Sequence, residues 1–339
     1  MSSAISAFSV ILLIFKCKNK MKIGVVGTGF VGTCSAYACL MNGLGSEIVL
    51  VDKDKARAIA EAQDILHATP FTHSISVRAG DYDALKDAKI VIIAAGVGQR
   101  PGESRLDLLK RNAMVFEQII PAILEQSPEA ILLIASNPVD VMTHIASSIA
   151  MRHCNLASSK VIGSGTILDT ARFRTLLAEH LNISPHSVHA NVLGEHGDSE
   201  VLIWSNVYVS NLPLEEFARQ LGKPITKEIR SEIDDGVRNA AYKIIEGKGA
   251  TCYGIGAGMA RIVKAILNNQ QAVLTCCSVV ESFEEINNAT FALPRIIGSS
   301  GIEGTIAPVL SKTEKQDLIA SVKLLKEIID AVDNRSSHS

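Results

Sequence analysis

No two of the seven cysteines (Cys17, Cys34, Cys39, Cys154, Cys252, Cys276 and Cys277) stand in a Cys-x-x-Cys pair, and their number is odd. That argues against a disulfide framework or a structural zinc site, and it predicts reduced thiols in a cytoplasmic protein. No basic cluster with interleaved aromatics occurs, and the formal net charge is only −2. Nothing therefore draws the chain to nucleic acid or to an acidic membrane surface. Residues 4–15 are mostly apolar, but that run is too short to cross a bilayer comfortably as a helix. Lys16, Lys18 and Lys20 follow it instead of preceding it, the wrong order for a secretory signal. Internal repeats and low-complexity linkers are missing too, so the lobes of the protein are expected to pack tightly.

What remains is a chain of 339 residues, 47% apolar and 20% charged, enough for a two-lobed enzyme with a large core. Met21 opens a natural first strand, and residues 1–20 read as an over-extended start or disordered extension, with an interfacial anchor as the alternative. Near-continuous apolar runs at 23–26, 47–51, 90–95 and 130–135 alternate with helix-compatible segments such as 31–41. Strands buried on both faces look like this, and the alternation implies parallel pairing with helical crossovers. The fold class expected is α/β, a Rossmann doubly wound parallel sheet over 21–162 followed by an α+β catalytic domain over 163–333. In that second part a helix carries Asp169 to His180, and apolar runs follow at 188–193 and 201–209. A long helical stretch is expected over 227–246, and a final helix shows a stripe at Leu318, Val322, Leu325, Ile329 and Val332. Residues 334–339 read as a frayed tail.

Gly27-Thr28-Gly29-Phe30-Val31-Gly32 follows the first strand and opens the first helix. Gly27 permits the tight turn, Gly29 lets the backbone approach a pyrophosphate, and Gly32 allows helix and strand to pack closely. The diphosphate would meet free N–H groups at the helix start, beside Val31. Asp52 ends the second strand, 20 residues beyond Gly32. A carboxylate there accepts from ribose hydroxyls and repels a 2′-phosphate, which favours NAD over NADP. Such a glycine turn is weak by itself. So is Asp169-x-x-Arg172, which is ordinarily an i,i+3 ion pair on a solvated face. Their weight comes from company: His196 sits on a glycine-flanked loop, Gly194-Glu195-His196-Gly197, directly after an apolar run. A nicotinamide cofactor, a proton-transferring His and an Arg that grips a carboxylate together describe a 2-hydroxy-acid dehydrogenase.

These stretches, with Gly98-Gln99-Arg100-Pro101-Gly102-Glu103-Ser104-Arg105, Ser136-Asn137-Pro138 and Gly249-Ala250-Thr251, occur in one order over about residues 21–332. In that combination the chain resembles the L-lactate/malate dehydrogenases, most closely the bacterial-type L-lactate dehydrogenases. The resemblance implies that His196 is the acid/base and that Asp169 fixes its tautomer and stabilises the imidazolium. Arg172 then grips the substrate carboxylate, and Arg105, after a Pro/Gly-rich lid, closes on the carbonyl. Asn137 contacts substrate and cofactor, and no metal takes part.

The same resemblance places Gln99 against the far end of the substrate, where malate enzymes carry Arg, and Thr251, a lactate-type residue, at the pocket wall. A second substrate carboxylate left without a partner costs on the order of 3 kcal/mol, roughly a hundredfold in discrimination. Pyruvate and L-lactate are therefore the expected substrates, with malate dehydrogenase or another L-2-hydroxy-acid dehydrogenase as the alternative. A catalytically silent NAD-binding protein would not need His196, Asp169, Arg172 and Arg105 together. Arg174 points about 200° around the helix from Arg172, and His189 lies about 20 Å before His196 if the chain is extended. Both match a pair that binds fructose 1,6-bisphosphate across a subunit interface in related bacterial enzymes. The resemblance also implies a homotetramer.

Overall fold

A computed structural model describes residues 21–98 and 102–336. Residues 1–20, Gln99, Arg100, Pro101, the side chains of Arg105 and of residues 333–336, and residues 337–339 lie outside that description, and so do the expectations placed on them. Six short strands, β1 (Lys22–Val26), β2 (Glu47–Val51), β3 (Ser76–Ala79), β4 (Ala88–Ile93), β5 (Ile131–Ile134) and β6 (Val161–Gly163), pair in parallel. Their spatial order is β3-β2-β1-β4-β5-β6. Helices α1 (Phe30–Met41), α2 (Lys55–His67), α3 (Arg105–Gln126) and α4 (Val139–Cys154) connect them. This is the doubly wound Rossmann order, with its ligand crevice at the carboxyl ends of the strands.

The unbroken apolar runs have a simple cause. Successive side chains of a strand face opposite sides, and both sides are buried. Ile23, Val25, Ile90 and Ile92 enter one core, while Val26, Val91 and Ile93 enter the other. Neither face can tolerate a polar alternation.

The second half adds α5 (Ile167–Leu181), the short strands β7 (Val188–His189), β8 (Val192–Leu193), β9 (Val201–Leu202), β10 (Tyr208–Val209) and β11 (Leu212–Pro213), and α6 (Leu214–Gln220). Next come α7 (Lys227–Arg238), α8 (Ala240–Lys248), α9 (Tyr253–Leu267), a long hairpin β12 (Ala272–Phe283) and β13 (Ile286–Gly298), β14 (Gly301–Thr305) and α10 (Lys312–Ser336). The hairpin was not legible as an element. Its loop, Glu284-Glu285, lacks a turn dipeptide, and Pro294 within β13 argues against a strand. It nevertheless extends the sheet across the expected 162/163 boundary, because Cys277 on β12 pairs with Gly163 on β6. A Cβ at Gly163 would collide with the Cys277 sulfur and the Thr143 hydroxyl, so glycine is needed at that crossing.

Two helical expectations change. The stretch expected over 227–246 is broken at Asn239, whose amide closes back on the Asp235 and Val237 carbonyls as a C-cap. The final helix buries Leu318, Val322, Leu325 and Ile329 as the stripe predicts, with Val332 packed at the margin of the same core. It runs on to Ser336, into the stretch expected to fray. No helix among the described residues is long and apolar enough to cross a membrane. The six described cysteines are free thiols.

Candidate active site

The loop after β1, the end of β2, the loop after β5 and the start of α5 all open on the carboxyl edge of the parallel strands. That edge collects Gly27, Asp52, Asn137 and Asp169. Gly27 adopts φ +94°, a conformation that favours glycine, and a Cβ there would press on the backbone of Ala94 and Ala95. At Gly32 a Cβ would overlap the Gly27 carbonyl oxygen. At Gly29 it would meet nothing within 4 Å, so open space lies over the backbone where a diphosphate would rest. Gly29 is also the N-cap of α1 and has no side chain to occupy the free helix amides. Val31 stands half-buried in the first turn. The residues present fit a dinucleotide.

Asp52 receives the Thr28 amide at 2.6 Å and the Thr28 hydroxyl at 3.0 Å on Oδ2, and the Asp54 amide at 3.0 Å on Oδ1. Burial alone would raise its pKa. The hydrogen bonds from Asp54 and Thr28, with Arg57 nearby, outweigh burial and hold the carboxyl below its usual range. It is thus an ionised acceptor, half-buried at the mouth of the glycine turn.

His196 is brought to Asp169 by side-chain bonds that join α5 to β8. Thr166 donates its hydroxyl to the Val192 carbonyl at 2.5 Å, and the Val192 amide donates to the Thr170 hydroxyl at 2.9 Å. Asp169 therefore faces the loop that leaves β8. Gly194, at φ +87°, turns that loop and exchanges both backbone hydrogen bonds with Ala292 of β13. A Cβ on Gly194 would come within 2.7 Å of the Ser321 hydroxyl, which itself accepts the Glu195 amide at 3.0 Å. The His196 amide donates to Asp140 Oδ2 at 2.8 Å. From the other side, Arg238 donates to the Asp198 carbonyl at 2.9 Å, and the Tyr242 hydroxyl donates to the Asp198 carboxylate at 3.0 Å. The break at Asn239 is what lets α7 and α8 both reach this loop.

The resulting constellation is compact. His196 Nδ1 lies 2.6 Å from Asp169 Oδ2, and Arg172 Nη1 donates to Asp169 Oδ1 at 2.9 Å. Asp169 is almost wholly buried, whereas about a quarter of the His196 side chain (24%) is open to the crevice. Burial alone would lower the imidazole pKa. The Asp169 charge and hydrogen bond reverse this, with Asp140 and Glu200 adding to them, and carry it up to about 9. His196 is therefore an imidazolium at neutral pH, with Nδ1 turned to the carboxylate and Nε2 left for a substrate.

The other expected residues divide. Asn137 is exposed in the loop between β5 and α4, and Thr251 is half-buried between α8 and α9. Neither hydrogen-bonds His196, Asp169 or Arg172 among the described residues. Arg105 opens α3 directly after the N-cap Ser104. Arg174 and His189 are brought near each other, since Arg174 Nε donates at 2.9 Å to the carbonyl of Ala190, which follows His189. Among the described residues no group of His, Cys, Asp and Glu could hold a metal ion.

Two functional positions escaped sequence reading. Asp140 is fully buried, and burial pushes its carboxyl up to about 6 against the pull of the His196 amide and charge. Glu200, four residues after His196, is buried as well. The only available signal was their place, in Asn137-Pro138-Val139-Asp140 and just past the His196 loop. A lone acid on a helix or strand ordinarily faces solvent.

Comparison with known proteins gives the lineage. The profile for the lactate/malate dehydrogenase NAD-binding domain matches residues 21–163, and that for the lactate/malate dehydrogenase α/β C-terminal domain matches residues 166–335. The chain belongs to the lactate/malate dehydrogenase family. An L-lactate dehydrogenase of Thermus aquaticus is 54% identical over 312 residues, 92% of this chain and 99% of its own. One from Allorhizobium ampelinum is 57% identical over 308 residues, 91% of this chain and 98% of its own. Among solved structures, a lactate dehydrogenase from a Medee basin deep-sea metagenome library superposes with a TM-score of 0.89 at 39% identity, covering 93% of this chain and 99% of its own. The minor L-lactate dehydrogenase of Enterococcus mundtii, in a ligand-bound form, gives 0.86 at 40% identity with the same coverage. In this family the glycine turn and Asp52 belong to the NAD-binding half, and the His196 loop belongs to the C-terminal half.

Proposed function

We propose that the protein is an NAD-dependent L-lactate dehydrogenase that interconverts pyruvate and L-lactate. The observation that carries this reading is the two-sided use of Asp169. One oxygen holds the His196 ring at 2.6 Å, and the other holds Arg172 at 2.9 Å. Bound at the glycine turn, NADH supplies the hydride. His196 gives its Nε2 proton to the keto oxygen, and Asp169 stabilises the ring in both protonation states by fixing Nδ1. Arg172 is half-buried, and only Nη1 of its fork is engaged among the described residues, which leaves planar donors for a carboxylate. Arg105 closes on the carbonyl, Gln99 and Thr251 bound the far end of the substrate, and Asn137 bridges substrate and cofactor. Gly27, Gly29, Val31, Gly32 and Asp52 hold NAD. Residues 21–162 serve the cofactor and 163–333 serve the substrate, in a cytoplasmic protein.

The test is NADH oxidation at neutral pH with pyruvate and with oxaloacetate. A neutral Gln99 predicts a kcat/KM preference for pyruvate of roughly a hundredfold or more. Equal values, or a preference for oxaloacetate, would mean that a cation such as Arg100 reaches the substrate and would overturn the assignment.

The charge state of His196 sets the pH dependence. Reduction of pyruvate needs the imidazolium, so its kcat/KM should hold through neutral pH and fall as pH rises through about 9. Oxidation of lactate needs the neutral ring and should rise over the same interval. A reductive kcat/KM that already falls as pH rises through the free-histidine value of about 6.5 would contradict the Asp169 pairing.

Arg174 and His189 support a second, effector site for fructose 1,6-bisphosphate in a homotetramer. Arg174 is half-buried, and among the described residues it bonds a carbonyl and no carboxylate. Burial lowers its pKa but leaves it charged, a ready partner for phosphate. His189 is exposed beside it. Fructose 1,6-bisphosphate is expected to lower the KM for pyruvate or to shift dimers to tetramers in sedimentation. No change in either measurement rejects the site.

A further inference from the structure

The His196 loop is held from the cofactor side by a single side chain whose charge the hydrogen bond does not require. Asp140 stands in the first turn of α4, three residues after Asn137, and its Oδ2 accepts the His196 amide at 2.8 Å. The bond crosses from the NAD-binding half of the family fold to the C-terminal half. It joins the segment that follows Asn137 to the backbone of the acid/base itself.

One neutral oxygen would serve that amide. Asp140 instead presents a carboxylate that is only 2% exposed, and its Oδ1 is fully buried without a hydrogen-bond partner among the described residues. Burying a charge is costly, and an Asn or Ser oxygen would accept the same N–H without one. The neighbouring polar groups are turned elsewhere. Thr143 on α4 donates its hydroxyl to the Val139 carbonyl at 2.7 Å, and the Cys277 thiol on β12 donates to the Thr143 hydroxyl at 3.4 Å. Glu195, on the loop, repels the carboxylate, while the His196 charge attracts it. The first turn of α4 also favours an anion. A buried carboxylate kept where a neutral acceptor would do has a use for its charge, and the cation it faces is the imidazolium.

We propose that Asp140 is a positioning residue for His196, anchoring its backbone to the cofactor half and adding a second negative charge, after that of Asp169, to hold the imidazolium. The role rests on the reading of His196 as the acid/base. The charged groups around the ring are Asp169 on α5, Asp140 on α4 and Glu200 beyond the loop, with Arg172 and Arg238 facing Glu200. Burial pushes the Asp140 carboxyl up to about 6, so it is still ionised at neutral pH and throughout the interval where His196 loses its proton. Removing its charge therefore lets the imidazolium deprotonate at lower pH.

Two variants separate the anchor from the charge. Asp140→Ala removes both. Its kcat for pyruvate reduction at neutral pH should fall about tenfold to a hundredfold, because the ring is no longer aimed, while NADH affinity stays near wild type. Asp140→Asn keeps an oxygen for the His196 amide and should recover most of that kcat. Its basic limb should nevertheless move from about 9 toward neutral pH, by about half a unit or more. A purely structural residue would leave the limb in place, and the Asn variant reports on it even if Asp140→Ala fails to fold. A wild-type limb in Asp140→Asn, or a wild-type kcat in Asp140→Ala, overturns the proposal. His196→Ala keeps the two possible failures apart. If that variant retains kcat, the acid/base reading is wrong; if it loses kcat while both Asp140 variants match wild type, only the positioning role is wrong.

Discussion

Replacing His196 by Ala is expected to lower kcat for pyruvate reduction by about 10²–10⁴-fold, the usual worth of a positioned general acid. The loss should fall on kcat, because the residue acts on the proton in flight, and NADH binding followed by fluorescence should stay near wild type. The glycine turn and Asp52 share no hydrogen bond with the His196 side chain among the described residues, and the loop is tied down by backbone amides that Ala retains. The basic limb of the pH profile should vanish with the ring. A loss below about tenfold, or a surviving limb near 9, would mean that another group delivers the proton.

Replacing Arg172 by Leu should raise the KM for pyruvate so that kcat/KM falls by about 2–5 kcal/mol, roughly thirtyfold to several thousandfold. Part of the effect should also appear in kcat, because Arg172 holds Asp169 Oδ1 and so helps aim the carboxylate at His196. Arg172→Lys separates the two roles. Lysine keeps the charge but not the planar fork, so substrate affinity should recover only in part. If Arg172→Leu left KM unchanged, the pair with Asp169 would be an ordinary helical ion pair and the substrate carboxylate would be gripped elsewhere.

Much of this was legible beforehand because it depends on local chemistry. Gly27 and Gly32 are required by a turn and a close approach within a few residues of chain, and the apolar strands by a sheet buried on both faces. Asp169 and Arg172 share a helix face by their spacing alone. Other features depend on contacts between distant segments. The β12–β13 hairpin is built on sequence with poor strand grammar, since Pro294 and Glu284-Glu285 argue against it locally. The surrounding sheet overrides them, because β6 offers an edge at Gly163 that Cys277 can approach. Likewise Asn239 looked like one more residue of a long helix until the helices on either side of it were seen to grasp Asp198 from two directions.

The sequence alone determined the α/β class and the glycine turn with Asp52 of an NAD-binding half, and through its family resemblance it singled out His196, Asp169 and Arg172 as candidates for the acid/base, its carboxylate and the substrate-gripping Arg. The class and the turn are properties of residue type and short spacing, which survive any arrangement of the rest. Only the tertiary structure decided that His196 meets Asp169 at all, because Thr166 and Thr170 must first bind the backbone of Val192. It also decided that Asp140 and Glu200 stand buried near that pair. Burial is a property of the assembled fold, and it brings two unremarkable acids close enough to add to the hold that Asp169 has on the charge of His196.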